Sequence, residues 1–294
     1  MFDQVIAGVD GKPNGRDAAR LASKLVAQGG HLTLVNVYVD DHVHRDGSDF
    51  VEIVRQDSLA LLGTELAAAG VDAEIATVGA NSIGAGLHHI AEERDSDLLV
   101  VGSCSHGLAG RLMLGDDMRA SLEGAPCAVA IAPRGFAEHA APFSTIGVAY
   151  DRSPESEAAL SLARELASEH ECKITALTVI NIPTYAFNAT AAVNWGEVME
   201  DMVKESQKHL DGLGDVQGRA VQGITTEELE KFAESVDLLV VGARGYGPVR
   251  RVLFGSTSEY LARTTPCPLL VLARGVTAHG EPSLAIAGAS QAHE

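Results

Sequence analysis

The chain has 294 residues, with 22 Lys and Arg against 40 Asp and Glu, for a formal net charge of −18. That balance argues against nucleic acids and anionic membrane surfaces as partners, because both call for a basic face. Hydrophobic residues make up 46% and mean hydropathy is +0.09, yet no apolar run reaches the roughly 18 residues that a membrane helix needs.

The start, Met1-Phe2-Asp3-Gln4-Val5-Ile6, reads as strand and lacks a basic region followed by an apolar stretch, so a cytoplasmic location is expected. Gln4–Val9 is the first expected strand. Asp17–Ala27, with Ala18, Leu21, Leu25 and Val26 apolar, has helical spacing. Strands follow near Leu32–Val37, Ala73–Val78, Leu98–Gly102 and Cys127–Ala132. A linker from Arg134 to Ser144 is bracketed by Pro133 and Pro142. Beyond it come Thr145–Tyr150, a helix over Glu155–Ala167, and strands at Lys173–Ile180 and Gly218–Val221. Thr225 and Glu228 have capping-box spacing ahead of another helix. Leu238–Gly242 is the next strand, Glu259–Arg263 the last helix and Cys267–Ala273 the last strand. Residues 276–294 turn to Gly, Ala, Ser and His and read as a loosely held tail. Leu-Leu-Val-Val and Ile174–Ile180 are too continuously apolar for a one-sided sheet and suit parallel strands covered on both faces. Alternating strands and helices imply an α/β fold with right-handed crossovers.

The chain repeats itself. Asp97-Leu98-Leu99-Val100-Val101-Gly102 returns letter for letter 140 positions later as Asp237-Leu238-Leu239-Val240-Val241-Gly242. At the same offset Gly115 answers Gly255, Ala125-Pro126-Cys127 answers Thr265-Pro266-Cys267, and Arg134-Gly135 answers Arg274-Gly275. Val9-Asp10 answers Tyr150-Asp151 at an offset of 141. One domain is written twice, over residues 1–135 and 144–275, and each copy is long enough for its own core.

The second copy carries the strongest chemical motif: Gly242-Ala243-Arg244-Gly245, nine residues, then Gly255-Ser256. Glycines let a backbone turn and approach a ligand closely. A helix N-terminus behind Gly255 presents unpaired N–H groups and partial positive charge, which suits phosphate. Ser256, Thr257 and Ser258 add hydroxyls, and Arg244, Arg250 and Arg251 add charge. By spacing alone, glycines that serve only strand-to-helix packing explain the pattern equally well. It is neither a Walker loop nor a dinucleotide Gly-x-Gly-x-x-Gly.

Gly-x2-Gly-x9-Gly-Ser after Asp-Leu-Leu-Val-Val-Gly, followed by Pro-Cys-Pro-Leu-Leu-Val-Leu, resembles the universal stress protein family. Ile6-Ala7-Gly8-Val9-Asp10-Gly11 and Ile146-Gly147-Val148-Ala149-Tyr150-Asp151 resemble that family's first strand and its terminal acid. The resemblance covers both copies, as in tandem members. It implies two doubly wound five-stranded parallel sheets, each in the order 3-2-1-4-5, related by a pseudo-two-fold axis. It also implies an ATP site, with Mg²⁺ carried by the phosphates, at the switch point of the sheet. Carried over residue by residue, Asp151 and Val179 would meet the adenosine. Val241, Gly242, Arg244, Gly245, Gly255, Ser256, Thr257 and Ser258 would lie along ribose and phosphates. The family's fifth strand commonly mediates pairing, so Cys127–Ala132 and Cys267–Ala273 are expected to pair within the chain as an internal pseudo-dimer, with a homodimer as a further option.

The first copy departs from the pattern. Ser105 stands where the second glycine should be, and Gly115 is followed by Asp116-Asp117, whose carboxylates would repel a phosphate. Asp10, Val37, Gly102 and Gly115 keep their places and leave room for a residual adenosine-like pocket. The expectation is a regulatory nucleotide sensor with its ATP site in the second copy and at most weak ATPase activity. A nucleotide-free interaction scaffold and a slow ATP-hydrolysing enzyme are the alternatives. No HIGH-like segment, no loop Lys and no evident general base supports the enzyme.

Other clusters receive plainer readings. Asp40, Asp41, His42, His44, Asp46 and Asp49 read as a solvated loop rather than a metal site, because nothing enforces ligand spacing. The 181–196 segment, with Tyr185, Phe187 and Trp195, reads as packing on its own domain. Lys12 and Asp17 are assigned to a solvated turn and first helix. Cys104, Cys127, Cys172 and Cys267 show no CxxC or metal spacing, and Cys127 and Cys267 read as small buried thiols.

Overall fold

The computed structural model describes residues 1–39, 48–103, 123–139, 141–181, 195–243, 252 and 254–273. The first copy runs β1 (Phe2–Gly8), α1 (Pro13–Leu25), β2 (Val26–Val39), α2 (Ser48–Ala69), β3 (Glu74–Ala80), α3 (Ile83–Glu93), β4 (Leu98–Gly102) and β5 (Ala128–Ala132). The second runs β6 (Thr145–Ala149), α4 (Pro154–His170), β7 (Lys173–Ile180), α5 (Trp195–Asp211), β8 (Gln217–Gln222), α6 (Thr225–Ala233), β9 (Leu238–Gly242), α7 (Ser256–Thr264) and β10 (Leu269–Leu272).

All ten expected strands are present, and each half has the order 3-2-1-4-5. The halves do not keep separate sheets. They merge into one ten-stranded sheet, β3-β2-β1-β4-β5-β10-β9-β6-β7-β8. Pairing is parallel except at the seam, where β5 and β10 run antiparallel with Val129 opposite Val271, Ala130 opposite Leu270 and Ile131 opposite Leu269. Ala130 and Leu270 are repeat equivalents facing each other, so the pseudo-two-fold axis passes between them.

The repeated hexapeptide is explained by packing, residue by residue. Asp97 accepts hydrogen bonds from the Asp3 and Gln4 N–H groups at 2.7 and 3.0 Å, stapling the start of β1. Asp237 does the same for β6, accepting from Ser144 and Thr145 N–H at 2.8 and 2.9 Å and from the Ser144 hydroxyl. Leu98, Val100, Leu238 and Val240 face one core layer, with Leu21 and Leu25 of α1, Leu62 of α2, Leu160 of α4 and Leu210 of α5. Leu99, Val101, Leu239 and Val241 face the other, with Leu87 of α3, Leu229 of α6 and Leu261 of α7. Such burial on both faces requires unbroken apolar strands. The terminal glycines admit the first helix of each half. A Cβ on Gly102 would lie 1.9 Å from the Asn14 carbonyl oxygen, and one on Gly242 would lie 2.7 Å from the backbone of Glu155.

Several local expectations are corrected. The first helix starts at Pro13 rather than Asp17, because Pro is pre-set for a first helical turn. It stops at Leu25, since Val26 turns extended and pairs with Phe2. β2 is correspondingly longer than expected, and a register shift between Phe2 and Gln4 is taken up at Gly29, whose φ is +88°. Asp17 is not solvated. It is buried and accepts from the Gly135 and Ala137 N–H groups at 3.0 and 2.7 Å, pinning the linker to α1. Thr225 is not a helix cap, because Ile224 holds that position and Glu228 pairs instead with Lys231 at 2.7 Å.

The seam is closed above the strands by α1, α4 and the linker. The Lys24 ammonium donates to the Ala141 carbonyl at 2.7 Å and sits 5.2 Å from the centre of the Phe143 ring. His170 Nε2 donates to the Lys24 carbonyl at 2.9 Å, and its ring meets Phe143 edge-on. Among the described residues no helix is long and apolar enough to cross a membrane.

Gly102→Ala and Gly242→Ala should each cost about 1–3 kcal/mol in urea unfolding, because backbone must move to admit the methyl group. Equal stability of either variant and the native chain would rule out the packing role. Replacing Asp237 by Ala strands two N–H groups and should cost about 1–3 kcal/mol. Burial pulls the Asp237 carboxyl up, but its Ser144 and Thr145 donors outweigh this and hold it below its ordinary value. Its stabilisation is therefore complete above the unfolded-chain pKa and is lost as pH falls through the folded one. The cost of Asp237→Ala should thus shrink as the solution is acidified below about pH 4, and an unchanged cost there would count against the staple.

Candidate functional site

The C-terminal ends of β6, β7 and β9 open into a cavity of about 390 Å³. The main chain supplies its floor. β6 and β9 are neighbours, while their following helices, α4 and α7, pack on opposite faces of the sheet, so the chain diverges there and leaves a crevice. Asp151, immediately beyond β6, stands on one side with Val179 of β7. Val241 and Gly242 end β9 on the other, and Gly255, Thr257 and Ser258 bring in the start of α7. Residues more than a hundred positions apart in the chain therefore meet at one cavity.

Asp151 is held in place by the first turn of α4. Its Oδ1 accepts from the Ser153 N–H at 3.0 Å and from the Ser153 hydroxyl. Ser153 Oγ in turn accepts from the Ser156 N–H at 3.2 Å, and Ser156 Oγ accepts from the Asp151 N–H at 3.3 Å. The corresponding acid of the first half is held differently. Asp10 accepts from the Lys12 N–H at 3.2 Å and is paired with the Lys12 ammonium at 3.1 Å. The Lys12 ammonium thus lies on the first-half carboxylate, and a serine hydroxyl orients the second-half one. Val37 and Val179 are both half-buried against the same core layer, and α3 approaches Val37 so closely that a Cβ on Gly86 would lie 2.5 Å from its Cγ1.

Gly255 is the N-cap of α7 and supplies no side-chain cap. The first N–H groups of a helix have no intrahelical acceptor, and here they begin at the cavity wall. The three hydroxyls expected there are not equivalent. Ser258 is buried and donates its proton to the Gly255 carbonyl at 3.1 Å, so it offers lone pairs rather than a donor. Thr257 lines the cavity. Ser256 is exposed and is not part of the lining, because the helix turns it outward. Arg244, Gly245 and Gly115 lie outside the described residues, as do residues 40–47, 182–194 and the tail. Gly102, like Gly242, owes its lack of a side chain to helix packing.

Sequence reasoning missed Asn181 and Thr225. Asn181 Nδ2 donates to Thr225 Oγ1 at 3.2 Å, and both line the cavity at its rim, beside Leu229. Position was the available signal, since Asn181 directly follows β7 and ligands in open α/β sheets gather beyond strand C-termini. The lining therefore offers apolar surface at Leu177, Val179, Leu229 and Val241, polar groups at the rim, and helix N–H groups at the far wall. That combination suits a ligand with a flat apolar part and an anionic part.

The thiols stand apart from this chemistry. Burial pushes both Cys127 and Cys267 up to about 12. Among the described residues no three or more His, Cys, Asp or Glu side chains are grouped to hold a metal ion.

The chain was compared with known proteins. A model of the universal stress protein family matches it twice, over residues 1–133 and 142–273. A universal stress protein of Mycobacterium tuberculosis is 25% identical over 212 residues, which cover 65% of this chain and 69% of that protein. A putative universal stress protein of Staphylococcus haemolyticus is 30% identical over 144 residues, covering 44% of this chain and 84% of the relative. The crystal structure of a universal stress protein from Archaeoglobus fulgidus superposes with a TM-score of 0.66 at 19% identity, over 93% of this chain and 99% of the other. One from Pseudomonas aeruginosa gives 0.65 at 16% identity, over 92% and 93%; at such identities the likeness speaks for the fold. With the family model matching end to end in both halves, the chain belongs to the universal stress protein family, as a tandem member.

Proposed function

We propose that the chain is a regulatory nucleotide sensor that binds ATP, with Mg²⁺ on the phosphates, in its second half. The observation that carries this reading is the convergence of Asp151, Val179, Val241, Gly255, Thr257 and Ser258 on one cavity at the switch point of the sheet. Its volume of about 390 Å³ is within the range of small-molecule sites. The residues fit the ligand chemically. Val179, Leu177 and Leu229 offer an apolar slot for a purine, and Asp151, oriented by Ser153, offers an acceptor for ribose hydroxyls or an exocyclic amine. The uncapped start of α7 offers N–H donors to phosphate oxygens. This matters in a chain of net charge −18, where anion binding depends on local dipoles rather than on the overall field. Bound Mg²⁺ would neutralise part of the phosphate charge.

The proposal is of binding without efficient turnover. A nucleotide-free scaffold is the second reading, and Gly242 favours it to a limited extent. Packing against Glu155 accounts for this glycine fully, as packing against Asn14 does for Gly102. The strand-end glycine therefore does not count toward nucleotide binding, and the weight rests on Asp151 and α7.

Calorimetric titration of nucleotide-free chain with Mg-ATP should give about one site per chain. Asp151→Ala should weaken binding by roughly tenfold or more, the value of a lost hydrogen bond to a charged group, while Asp10→Ala leaves it unchanged. Two equivalent sites would overturn the asymmetry, and no binding at all would move the assignment to the scaffold.

A further inference from the structure

Val252 lies between Gly242 and Gly255 and is fully buried. Both its main-chain groups are bonded across the seam. Its N–H donates to the Ala125 carbonyl at 2.9 Å, and its carbonyl accepts from the Gly124 N–H at 2.9 Å. Both partners belong to the first half, just ahead of β5. The Val252 side chain packs in the core layer that also holds Ala125, Leu261 and Ala262, the last two from α7.

Gly124 has a φ of +81°, a left-handed conformation that favours glycine, and a Cβ there would meet nothing closer than His88 Cε1 at 4.0 Å. Glycine is needed for the direction of the backbone, which aims its N–H at Val252, and not for space. The second half has no such turn at the matching position. Thr264 is there the last residue of α7, and the Thr265 N–H returns to the Leu261 carbonyl at 3.0 Å. The halves agree at the Pro-Cys that follows and diverge at the residue that grips the other half.

We infer that the first half acts as a positioning element for the nucleotide site of the second: the Gly124 turn holds Val252, and through it sets the approach to Gly255 and the N-terminus of α7. The inference rests on the proposed ATP site. It gives the first half a role there that needs no phosphate loop of its own, and it makes Gly124 and Val252 positioning residues.

Gly124→Ala tests it, with Gly70→Ala as comparator. Gly70 also lies in the first half, has a φ of +60° and has nothing within 4 Å of a Cβ, so the methyl group strains the backbone in the same way without touching the tether. Mg-ATP titration and amide hydrogen exchange of the peptide spanning Val252–Ser258 are read on both variants and on the native chain. Gly124→Ala should weaken ATP binding roughly tenfold, the usual size of coupling between sites, and speed exchange in that peptide. Gly70→Ala should do neither while losing comparable thermal stability. Equal effects of the two variants, or native affinity and native exchange in Gly124→Ala, would overturn the inference. If the native chain binds no ATP, the proposed function falls, and exchange alone decides the tether: faster exchange confined to Gly124→Ala upholds it, and unchanged exchange removes it.

Discussion

Antiparallel pairing of β5 with β10 is the constraint on which the rest of the molecule depends. A five-stranded parallel sheet ends in unpaired N–H and C=O groups, and such an edge recruits another strand. Here the edge of each half satisfies that of the other, through Val129–Ile131 and Leu269–Val271. Opposed strand directions place the C-terminal ends of the two sets of parallel strands at opposite ends of the sheet. Each half therefore has its own switch point, and the two lie at opposite ends of the sheet. The same seam brings Gly124 and Ala125 of the first half beside Val252 of the second.

The exact repeat turns out to record folding rather than chemistry. Its Asp staples the first strand of each half, its four apolar residues face alternate core layers, and its Gly admits a helix. Each half needs all six residues for these contacts, whatever it binds. The copies differ elsewhere, at the ends of their strands. Lys12 is paired with the Asp10 carboxylate, and Ser153 hydrogen-bonds that of Asp151. Gly86 lets α3 pack closely on Val37, and Val179 lines the cavity of the second half. Asymmetry of this kind arises from small substitutions at the ends of strands and leaves the sheet itself unaltered.

Carboxylates, buried at Asp17 and half-buried at Asp97 and Asp237, carry much of the long-range organisation. Asp17, Asp97 and Asp237 all accept from main-chain N–H groups that would otherwise lack partners at a strand start or in the linker. Asp97 and Asp237 occupy equivalent positions but shift in opposite directions. Burial dominates at Asp97 and raises it, while the added Ser144 hydroxyl helps the donors prevail at Asp237 and lowers it. Deeper burial and the Asp3 charge at Asp97, against the Ser144 hydroxyl and the Lys24 charge at Asp237, distinguish the two staples.

The ten strands, the parallel α/β class and the duplication were legible in the sequence, because continuous apolar runs and a fixed repeat offset are properties of the chain read along its length. The motif and the family resemblance also grouped Asp151, Val179, Val241, Gly242, Gly255, Thr257 and Ser258, which line one cavity, with Ser256, which does not. Tertiary structure alone decided the merging of two sheets into one, the burial of Asp17 under the linker, the placing of Asn181 and Thr225 on the cavity rim, and the grip of Gly124 on Val252. Each of those depends on a hydrogen-bond partner tens to more than a hundred positions away. Periodicity reports which face of a strand or helix is buried, but a single polar contact between distant segments leaves no periodic trace, and only the folded chain brings its two ends together.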